Sequence, residues 1–593
     1  MNPIDGYASA TSVSPGGSIN FHVRVEAPNT GFHIEILRRG KEDVVLLGDS
    51  GQAGAYAIPV DASSNGCGWP VGYTLAVPDN WSSGVYIARL TTDQTAATTE
   101  VLFVVKAAAL GTNSKILFQL AVNTSQAYNN WGGKSLYGYN SAPNNADGDR
   151  SRKVSFDRPG MEGHGPDGQG SDSPFASYEY LFTRWLEMNG FEVEYCTSID
   201  LHADPHFLDN YQLLLSVGHD EYWSKEMRDS VATFVANGGN VAFFSGNVCW
   251  WQVRFEDNNR TMVCYKSKAE DPLTGTDNER VTVNWNADPV LRPGNAMAGV
   301  DFRQGAYWKD GPIPAVDYQV KVPQHWIFDT ALAGNTFGGD RHIIGYETDA
   351  AHLVDPTAAA PLPAGDDGTP PNFVCLAVAD CQNWDQSGGQ KGWATMGLFH
   401  NNGSVFTGAT VNWVGGLVNL DGGWGPVDQI TQNLLRRLSS PCPPAPRLAN
   451  ASFEQYDENG QPLNWSLEGA GSVGPGDVNI GHTPLQVDAI NGQTWISQGP
   501  FLLEYLNYYA AGCWAKASQP GATIRLQSTV TWEDFAIAEH PGDGNWHYLF
   551  AVGVPGANET PTFPARVKIQ VAGGIALFDN VHVDAVAPPP LGH

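Results

Sequence analysis

The run Ile116-Leu-Phe-Gln-Leu-Ala-Val122 decides the fold of the central part of the chain. Continuous apolar runs of this length are typical of strands that are buried on both faces of a parallel sheet. The same pattern returns in Leu213-Leu-Leu-Ser-Val217 and in Asn240-Val-Ala-Phe-Phe244. Helical spacing is found in the intervening segments 175–188 and 225–237, each of which is followed by glycine. This alternation of strand and helix predicts a doubly wound α/β sheet.

The N-terminal part of the chain has a different period. Ser18–Val25 and Val85–Leu90 alternate apolar and polar residues, as half-buried strands do, and turn-forming clusters separate them. The pattern predicts an immunoglobulin-like β-sandwich over residues 1–106, followed by a linker.

The α/β domain is expected to span residues 115–440 and to contain β insertions after residue 255. The segment Pro441–Pro446 is proline-rich, which predicts a stiff spacer and a domain boundary. Beyond it, residues 447–585 return to short strands and turns, so a third domain made of β-strands is expected there.

Composition limits the classes of function. The 593 residues are 42% hydrophobic and only 16% charged, which is enough apolar material for several cores. The formal net charge of −29 disfavours binding to nucleic acid or to anionic lipid surfaces, because like charges repel. No apolar run approaches the ~20 residues that a membrane-spanning helix needs, so membrane insertion is not expected.

The sequence alone leaves open the state of the cysteines, the cellular location and the oligomeric state. The start of the chain, Met1–Gly6, lacks the charged and apolar regions of a signal peptide, which leaves a cytoplasmic location or export by a non-classical route. The eight cysteines contain no Cys-x-x-Cys pair, so thiolate zinc sites are not expected. Cys375 and Cys381 form either a disulfide or two buried thiols. A homo-oligomer is possible.

Polar loops follow the three buried strands, and ligands of open α/β sheets bind at such strand ends. The loop after Val122 carries Tyr128 and Tyr137, and the loop after Val217 carries an imidazole and two carboxylates, including Glu221. Phenolate and carboxylate oxygens are hard donors that suit a hard cation. The alternative is that these side chains only hydrogen-bond to each other across a loop junction.

Four motifs resemble the large-subunit family of N,N-dimethylformamidase. They are Gln126-Ala-Tyr-Asn-Asn-Trp-Gly-Gly-Lys-Ser-Leu-Tyr137, Lys153-Val-Ser-Phe-Asp-Arg-Pro159, Gly218-His-Asp-Glu-Tyr-Trp-Ser224 and Val405-Phe-Thr-Gly-Ala-Thr-Val-Asn-Trp413. The resemblance implies a glutamine-amidotransferase-like α/β core that carries one iron ion, expected as Fe³⁺. It also implies that Tyr128, Tyr137 and Glu221 bind this iron, and that His219 and Asn247 assist catalysis.

The activity implied by this resemblance is metal-dependent hydrolysis of an amide C–N bond. The family has a glutamate in the stretch that we align with Met396–Gly403, where this chain offers His400 as the catalytic candidate. We therefore expect weak or no activity on dimethylformamide itself. A larger amide, such as an acylamino glycan or a peptide, is the expected substrate.

The third domain resembles carbohydrate-binding jelly rolls. The resemblance is carried by Leu448–Glu454 with Pro462–Trp465, and by the closing stretch Leu577–Val583. It implies a structural calcium ion held by Glu454 and Asp579; the alternative is a jelly roll without a ligand. Stacking of a sugar on exposed tryptophans predicts carbohydrate-binding roles for two residues of this domain. They are Trp495 and Trp532.

Two rival functions remain. Cys249 lies near the position where an amidotransferase-like fold places a nucleophile, which would make the protein a cysteine hydrolase; a buried structural thiol is the alternative. The other rival is a non-enzymatic glycan-binding or surface protein whose metal residues are relics.

Overall fold

The computed structural model describes residues 3–26, 30–161, 175–323, 325–328, 331–359, 361–370, 373–439, 448–476, 484–490, 492–504, 508–553 and 562–586. Strands dominate these ranges and helices are few. None of the helices in these ranges combines the length and apolar character that crossing a membrane requires. The predicted spacer Pro441–Pro446 lies outside the described residues.

The N-terminal part folds into a β-sandwich. Its elements are β1 (Ile4–Ala8), β2 (Ser12–Val13), β3 (Ser18–Val25), β4 (Thr30–Arg39), β5 (Val44–Ala53), helix α1 (Ala62–Asn65), β6 (Val71–Ala76), β7 (Gly84–Thr92) and β8 (Thr98–Val105). One sheet has the order β1-β3-β6 and the other has the order β2-β8-β7-β4-β5. Alternate residues of both sheets, such as Phe21, Ile34 and Phe103, form a shared core. The alternation in the sequence therefore identified buried faces.

A nine-stranded sheet forms the middle of the molecule, in the order β11-β9-β12-β14-β23-β22-β21-β18-β19. Its strands are β9 (Ile116–Leu120), β11 (Glu194–Thr197), β12 (Leu213–His219), β14 (Asn240–Gly246), β18 (Tyr318–Val320), β19 (Thr336–Phe337), β21 (Val374–Asp380), β22 (Trp393–Asn401) and β23 (Gly403–Thr407). The five strands from β11 to β23 in this order are parallel, and the remaining pairings are antiparallel.

Helices and smaller sheets surround this sheet. The helices are α2 (Val122–Tyr128), α3 (Tyr180–Met188), α4 (Ser198–Ala203), α5 (Lys225–Ala236), α6 (Asn295–Ala298) and α7 (Pro426–Leu438), and a π-helical turn, Phe175–Glu179, precedes α3. The smaller sheets have the orders β10-β16-β15-β13 and β17-β20. Their strands are β10 (Lys153–Ser155), β13 (Tyr222–Ser224), β15 (Trp251–Glu256), β16 (Thr261–Val263), β17 (Asp301–Tyr307) and β20 (Glu347–Ala350).

Local sequence explains most of these boundaries. All residues of β12 and β14 are buried, as their continuous apolar character predicts. Helix α5 begins after Ser224, whose hydroxyl oxygen accepts a hydrogen bond from the backbone N–H of Met227 at 3.2 Å. One expectation was wrong: the strand predicted to reach Val122 ends at Leu120, and α2 begins at Val122, so Tyr128 lies on a helix.

The C-terminal domain is a second β-sandwich, which we call the tail. Its strands are β24 (Ser466–Gly469), β25 (Ser472–Pro475), β26 (Leu485–Asp488), β27 (Thr494–Glu504), β28 (Tyr508–Ala517), β29 (Ala522–Ser528), β30 (Asp534–Glu539), β31 (Trp546–Gly553), β32 (Thr562–Val571) and β33 (Ile575–Val586). Sheet β24-β27-β32-β29-β30 packs on sheet β25-β26-β33-β28-β31 around a core of its own.

The tail also packs against the α/β domain. Trp514 of β28 and Tyr548 of β31 belong to the same buried apolar cluster as the central sheet. The ring of His325 lies 5.1 Å from the ring of Phe550, and the rings of His400 and His582 are 5.7 Å apart. The sheet that contains β28 and β31 therefore docks on the α/β domain, and the outer face of the other sheet is directed away from this contact.

Candidate metal centre and active site

Three oxygen-bearing side chains converge beyond the carboxyl end of β12. The hydroxyl of Tyr128 donates to Oε2 of Glu221 at 2.8 Å, and the hydroxyl of Tyr137 lies 2.7 and 2.9 Å from the two carboxylate oxygens of Glu221. The two phenol oxygens are 3.0 Å apart. The structure thus brings together the three residues predicted to bind a metal, at the predicted edge of the sheet.

Arg158 fixes the loop that carries both tyrosines. Its guanidinium is buried and donates to the backbone carbonyls of Asn129 at 2.8 Å, Trp131 at 2.6 Å, Lys134 at 2.9 Å and Ser155 at 3.1 Å. Burial lowers the pKa of Arg158 to about 9. The arginine of the Lys153–Pro159 motif therefore holds the segment between Tyr128 and Tyr137 in one conformation.

Glu221 is held in place by α2 and by the end of β12. Its backbone N–H donates to the hydroxyl of Thr124 at 2.9 Å. Gly218 has φ +76°, and a Cβ there would lie 2.4 Å from the side chain of Tyr178. A larger residue would be strained at this position and would collide with Tyr178. Glycine therefore lets β12 end in the turn that presents Glu221.

A second group of polar residues borders the three oxygens. Nε2 of His219 lies 2.8 Å from Oε2 of Glu347 and 3.6 Å from Oε2 of Glu221. The amide nitrogen of Asn247 donates to the same oxygen of Glu347 at 3.0 Å, and the hydroxyl of Tyr346 lies 3.3 Å from Nδ1 of His219. His219 and Asn247 are therefore beside the candidate metal ligands, as predicted.

Asn247 has a constrained backbone with φ +51°. Its backbone N–H donates to Asp349 at 2.9 Å, and the next N–H, that of Val248, donates to the same carboxyl group at 3.2 Å. The side-chain oxygen of Asn247 is buried and has no hydrogen-bond partner among the described residues. A buried oxygen without a hydrogen bond destabilises the folded protein unless a ligand or an ion interacts with it.

The electrostatics of the cluster disfavour the charged forms of its acids. Burial, followed by the negative charge of Glu221, raises the pKa of both Tyr128 and Tyr137 well above the usual value of a phenol. Burial also raises the pKa of Glu221, and the carboxylate of Glu347 adds to this effect. The ammonium of Lys266 lies 3.4 Å from the ring centre of Tyr137 and is the nearest described cation to that ring.

A hard cation fits this donor set. Ligands that occupy adjacent octahedral positions at ~2.0–2.1 Å from an ion are about 2.8–3.0 Å apart. The hydroxyl oxygens of Tyr128 and Tyr137 and Oε2 of Glu221 have this spacing, with separations of 2.8, 2.9 and 3.0 Å. Two phenolates and one carboxylate supply three negative charges, which suits a trivalent ion, and a cation lowers the pKa values that burial raises.

The sequence reasoning missed three residues that shape the site. Glu347 lies in Tyr346-Glu-Thr-Asp349, where two carboxylates occur on the fully buried strand β20, but the burial of this strand is evident only in the structure. Arg158 lies in a quoted motif but was given no role. Lys266 has no recognisable pattern around it.

His400 is not part of the site. It lies opposite Ser404 at the amino end of β23, and its Nδ1 is 3.0 Å from the Ser404 hydroxyl. Because β23 runs parallel to β14, His400 is at the opposite edge of the sheet, about 20 Å away at ~3.3 Å per residue. A carboxylate that the sequence did not point to, that of Glu347, lies beside the candidate ligands instead.

The cysteine-hydrolase alternative has no support in the geometry. Cys249 is fully buried, and burial raises the pKa of its thiol to about 12. Among the described residues no histidine hydrogen-bonds to it. Cys375 and Cys381 are both free thiols, so the disulfide alternative for this pair was wrong.

The residues singled out in the tail have different surroundings. Trp532 is 59% exposed and Trp495 is half-buried. Glu454 is exposed and Asp579 is buried. Burial, followed by the negative charges of Glu454 and then Asp579, raises the pKa of Tyr456, so both carboxylates lie near this phenol.

Comparison with known proteins gives one match to a family. The model of the family described as "N,N-dimethylformamidase beta subunit-like, C-terminal" matches residues 38–425. The N,N-dimethylformamidase beta subunit of Alcaligenes sp is 23% identical over 355 residues, which cover 53% of this chain and 43% of that protein. The chain therefore spans less than half the length of this curated relative.

Solved structures match smaller parts of the chain. The CBM22-1 xylan-binding domain of Paenibacillus barcinonensis Xyn10C is 14% identical, with 23% of this chain and 93% of that one covered and a TM-score of 0.18. The apo form of a cyclase from Fischerella sp. is 14% identical, with coverage of 25% and 97% and a TM-score of 0.20.

Proposed function

The chain belongs to the N,N-dimethylformamidase beta subunit-like family, and we propose that it hydrolyses an amide C–N bond at a metal centre. The proposal rests on one observation. Two phenols and a carboxylate meet at 2.7–3.0 Å in a buried place, with His219 and Glu347 directly beside them. The proposed framework is an amidotransferase-like α/β core behind an immunoglobulin-like sandwich.

Tyr128, Tyr137 and Glu221 are the proposed ligands of one iron ion, as Fe³⁺. When bound, such an ion polarises a carbonyl oxygen and lowers the pKa of water. The ring of Tyr137 lies under the ammonium of Lys266, which favours the phenolate form of this tyrosine.

Glu347 is the proposed general base. Its Oε2 accepts a hydrogen bond from Asn247 and lies 2.8 Å from Nε2 of His219, and both contacts keep the carboxylate beside the proposed metal ligands. In the proposed reaction, Glu347 accepts a proton from the attacking water while the water oxygen bonds to the carbonyl carbon. The proton then passes through His219 to the amide nitrogen, the C–N bond breaks, and an amine and a carboxylic acid leave.

Two classes of amide are proposed as substrates, a small formamide and a larger amide of a sugar or peptide. Dimethylformamide belongs in the test panel, because the carboxylate of Glu347 lies beside the proposed ligands. Acylamino sugars and short peptides belong there too, because the protein carries a tail with a polar and aromatic outer face.

The test of the proposed function is metal content read together with amine release. We expect about one iron per chain in protein from iron-replete cells, and amine release from at least one amide of the panel. Removal of the iron by a chelator should abolish release, and Glu221→Ala should abolish both metal binding and activity. The matched control is Glu279→Ala, since Glu279 is an exposed acid away from the site.

Two outcomes would contradict the proposal. Stoichiometric zinc or no metal would remove the iron centre. An iron-loaded protein that releases no amine, yet binds glycans, would favour the non-enzymatic glycan-binding alternative.

We also propose that the tail binds saccharides on sheet β24-β27-β32-β29-β30. Trp495 and Trp532 both lie at the outer face of this sheet, where side chains with hydrogen-bonding groups connect them. Aromatic rings beside such groups suit the apolar faces and hydroxyls of a pyranose. A structural calcium ion near Glu454 and Asp579 is proposed for the same domain, and calcium-dependent thermal stabilisation of the full chain, lost in Asp579→Asn, would test it.

A further inference from the structure

The outer face of tail sheet β24-β27-β32-β29-β30 carries charged side chains from three of its strands. Arg566 and Lys568 on β32, Arg525 on β29 and Glu468 on β24 point to this face, because the alternate residues Val567 and Ile569 of β32 lie in the core. The face is therefore a charged surface backed by the sandwich core, on the sheet that does not contact the α/β domain.

Most charges of this face are neutralised by a neighbour. Nη1 of Arg566 donates to Glu468 at 2.7 Å, and the Arg566 guanidinium lies 5.0 Å from the ring centre of Trp532. Nη1 of Arg525 donates to Asp534 at 2.6 Å. Each of the two arginines is thus paired with one carboxylate, and no charge is left over from these pairs.

Lys568 is the exception. Its side chain is flanked by Ser497 and Arg525 across the sheet, and its ammonium lies 4.5 Å from the ring centre of Trp495. Among the described residues no carboxylate lies within 4.0 Å of this ammonium and no side-chain or backbone oxygen accepts a hydrogen bond from it. The residue as a whole is 9% exposed, so its aliphatic stem is largely covered, while the ammonium at its end keeps some contact with solvent.

An ammonium in this position is partly desolvated. Burial lowers the pKa of Lys568, and the neighbouring Arg566 and Arg525 add repulsion, although the carboxylates of Asp534 and Glu468 oppose these effects. The indole of Trp495 offsets part of the cost through a cation–π contact. An anion that bound at this face would replace the missing partner, since a buried charge is stable only when it is paired.

We propose that this face selects acidic saccharides, and that the carboxylate or sulfate group of the sugar binds the ammonium of Lys568. The inference rests on the proposed saccharide binding by the tail and adds its chemical class. Lys568 lies midway between Gln570, which is opposite Trp495, and Arg566, which contacts Trp532. Glu468 connects the two aromatic positions, because one of its carboxylate oxygens accepts from the indole N–H of Trp495 at 2.8 Å and the other accepts from Arg566 at 2.7 Å. Both rings and Lys568 therefore belong to one continuous surface, which suits a short acidic oligosaccharide.

The experiment uses the full chain and calorimetric titration with three probes. They are an oligogalacturonate trisaccharide, the same trisaccharide with its carboxyl groups reduced to alcohols, and a sulfated trisaccharide. We expect the acidic probes to bind at least tenfold more tightly than the reduced one, and comparison of the two acids shows which anion is preferred. Lys568→Gln should remove this tenfold preference and leave the affinity for the reduced probe unchanged.

Two further variants separate the possible causes. Trp532→Ala should weaken all three probes, because it removes the exposed ring and not the charge. Lys391→Gln is the matched control, since it removes one exposed lysine of the α/β domain, and it should bind all three probes like the unaltered chain.

Three other outcomes would each contradict a specific part of the proposal. Equal affinity for acidic and reduced probes would overturn the acidic class and leave saccharide binding in place. No binding of any probe would overturn saccharide binding and this inference with it. Binding of single-stranded DNA in preference to all three saccharides, lost in Lys568→Gln, would show that the face recognises another polyanion.

Discussion

At the scale of single residues, Glu347 allows the general-base proposal to be separated from metal binding. Glu347→Gln keeps the shape of the side chain but cannot accept a proton, and it touches His219 and Asn247, not the phenols. We expect iron content to stay at the level of the unaltered chain and amine release to fall by about 10²–10⁴-fold, the usual contribution of a general base. The measurement is kcat alongside iron analysis.

The control for that experiment is Glu279→Gln, which changes an exposed carboxylate in the same way. Full activity in Glu347→Gln would show that another group accepts the proton.

The variant Tyr137→Phe tests the proposed metal centre. Tyr137→Phe removes one oxygen donor and keeps the ring beneath Lys266, so we expect the fold to persist while iron is lost. Phenolate-to-iron charge transfer should colour the unaltered protein, and this visible absorption should disappear in the variant. Tyr139→Phe is the control, because Tyr139 is exposed and its ring is 5.7 Å from that of Tyr137. Retained colour and iron in Tyr137→Phe would contradict its assignment as a ligand.

At the scale of elements, one arginine determines whether the tyrosine loop keeps its shape. Arg158→Lys keeps the positive charge but loses the fork that reaches the carbonyls of Asn129, Trp131 and Lys134. Buried carbonyls that lose their donors cost about 1–3 kcal/mol each, so we expect the loop to rearrange and the metal affinity to fall. Thermal unfolding and iron content measure the two effects. Arg152→Lys, at a partly exposed arginine of the same segment, should change neither.

The elements also show what the sequence could predict. Ser18–Val25 was predicted as a strand with the bounds that the structure has, because alternation reports directly which side of a strand is buried. The position of Glu221 and Asn247 at one edge of the sheet could also be predicted, because β12 and β14 are parallel and both residues follow the carboxyl ends of these strands. The same reasoning could not find Glu347. That residue reaches the site from β20, outside the central sheet and 126 residues beyond Glu221, through contacts that no local pattern encodes.

At the scale of the whole molecule, the tail has a core of its own and one face that packs against the α/β domain. We expect a fragment of residues 448–593 to fold, because the two sheets enclose their own apolar cluster. The fragment should self-associate, because Trp514, Tyr548 and Phe550 lose the surface that they contact in the intact chain. Size-exclusion chromatography with light scattering measures this, and Phe550→Ser in the fragment should reduce it. A fragment without cooperative unfolding would contradict the domain boundary.

The docking of the tail has a consequence for a polymeric substrate. Because Tyr548 and Trp514 pack into the core of the α/β domain, the tail is not joined to that domain by a flexible tether alone. The outer tail sheet, β24-β27-β32-β29-β30, and the proposed metal centre are therefore held in a fixed relative position. A polymer anchored on the outer sheet would present its other groups to the centre at an effective concentration set by this geometry. Amides at one particular distance along the polymer would then be cleaved first, and early products would show a regular spacing instead of a random distribution of lengths.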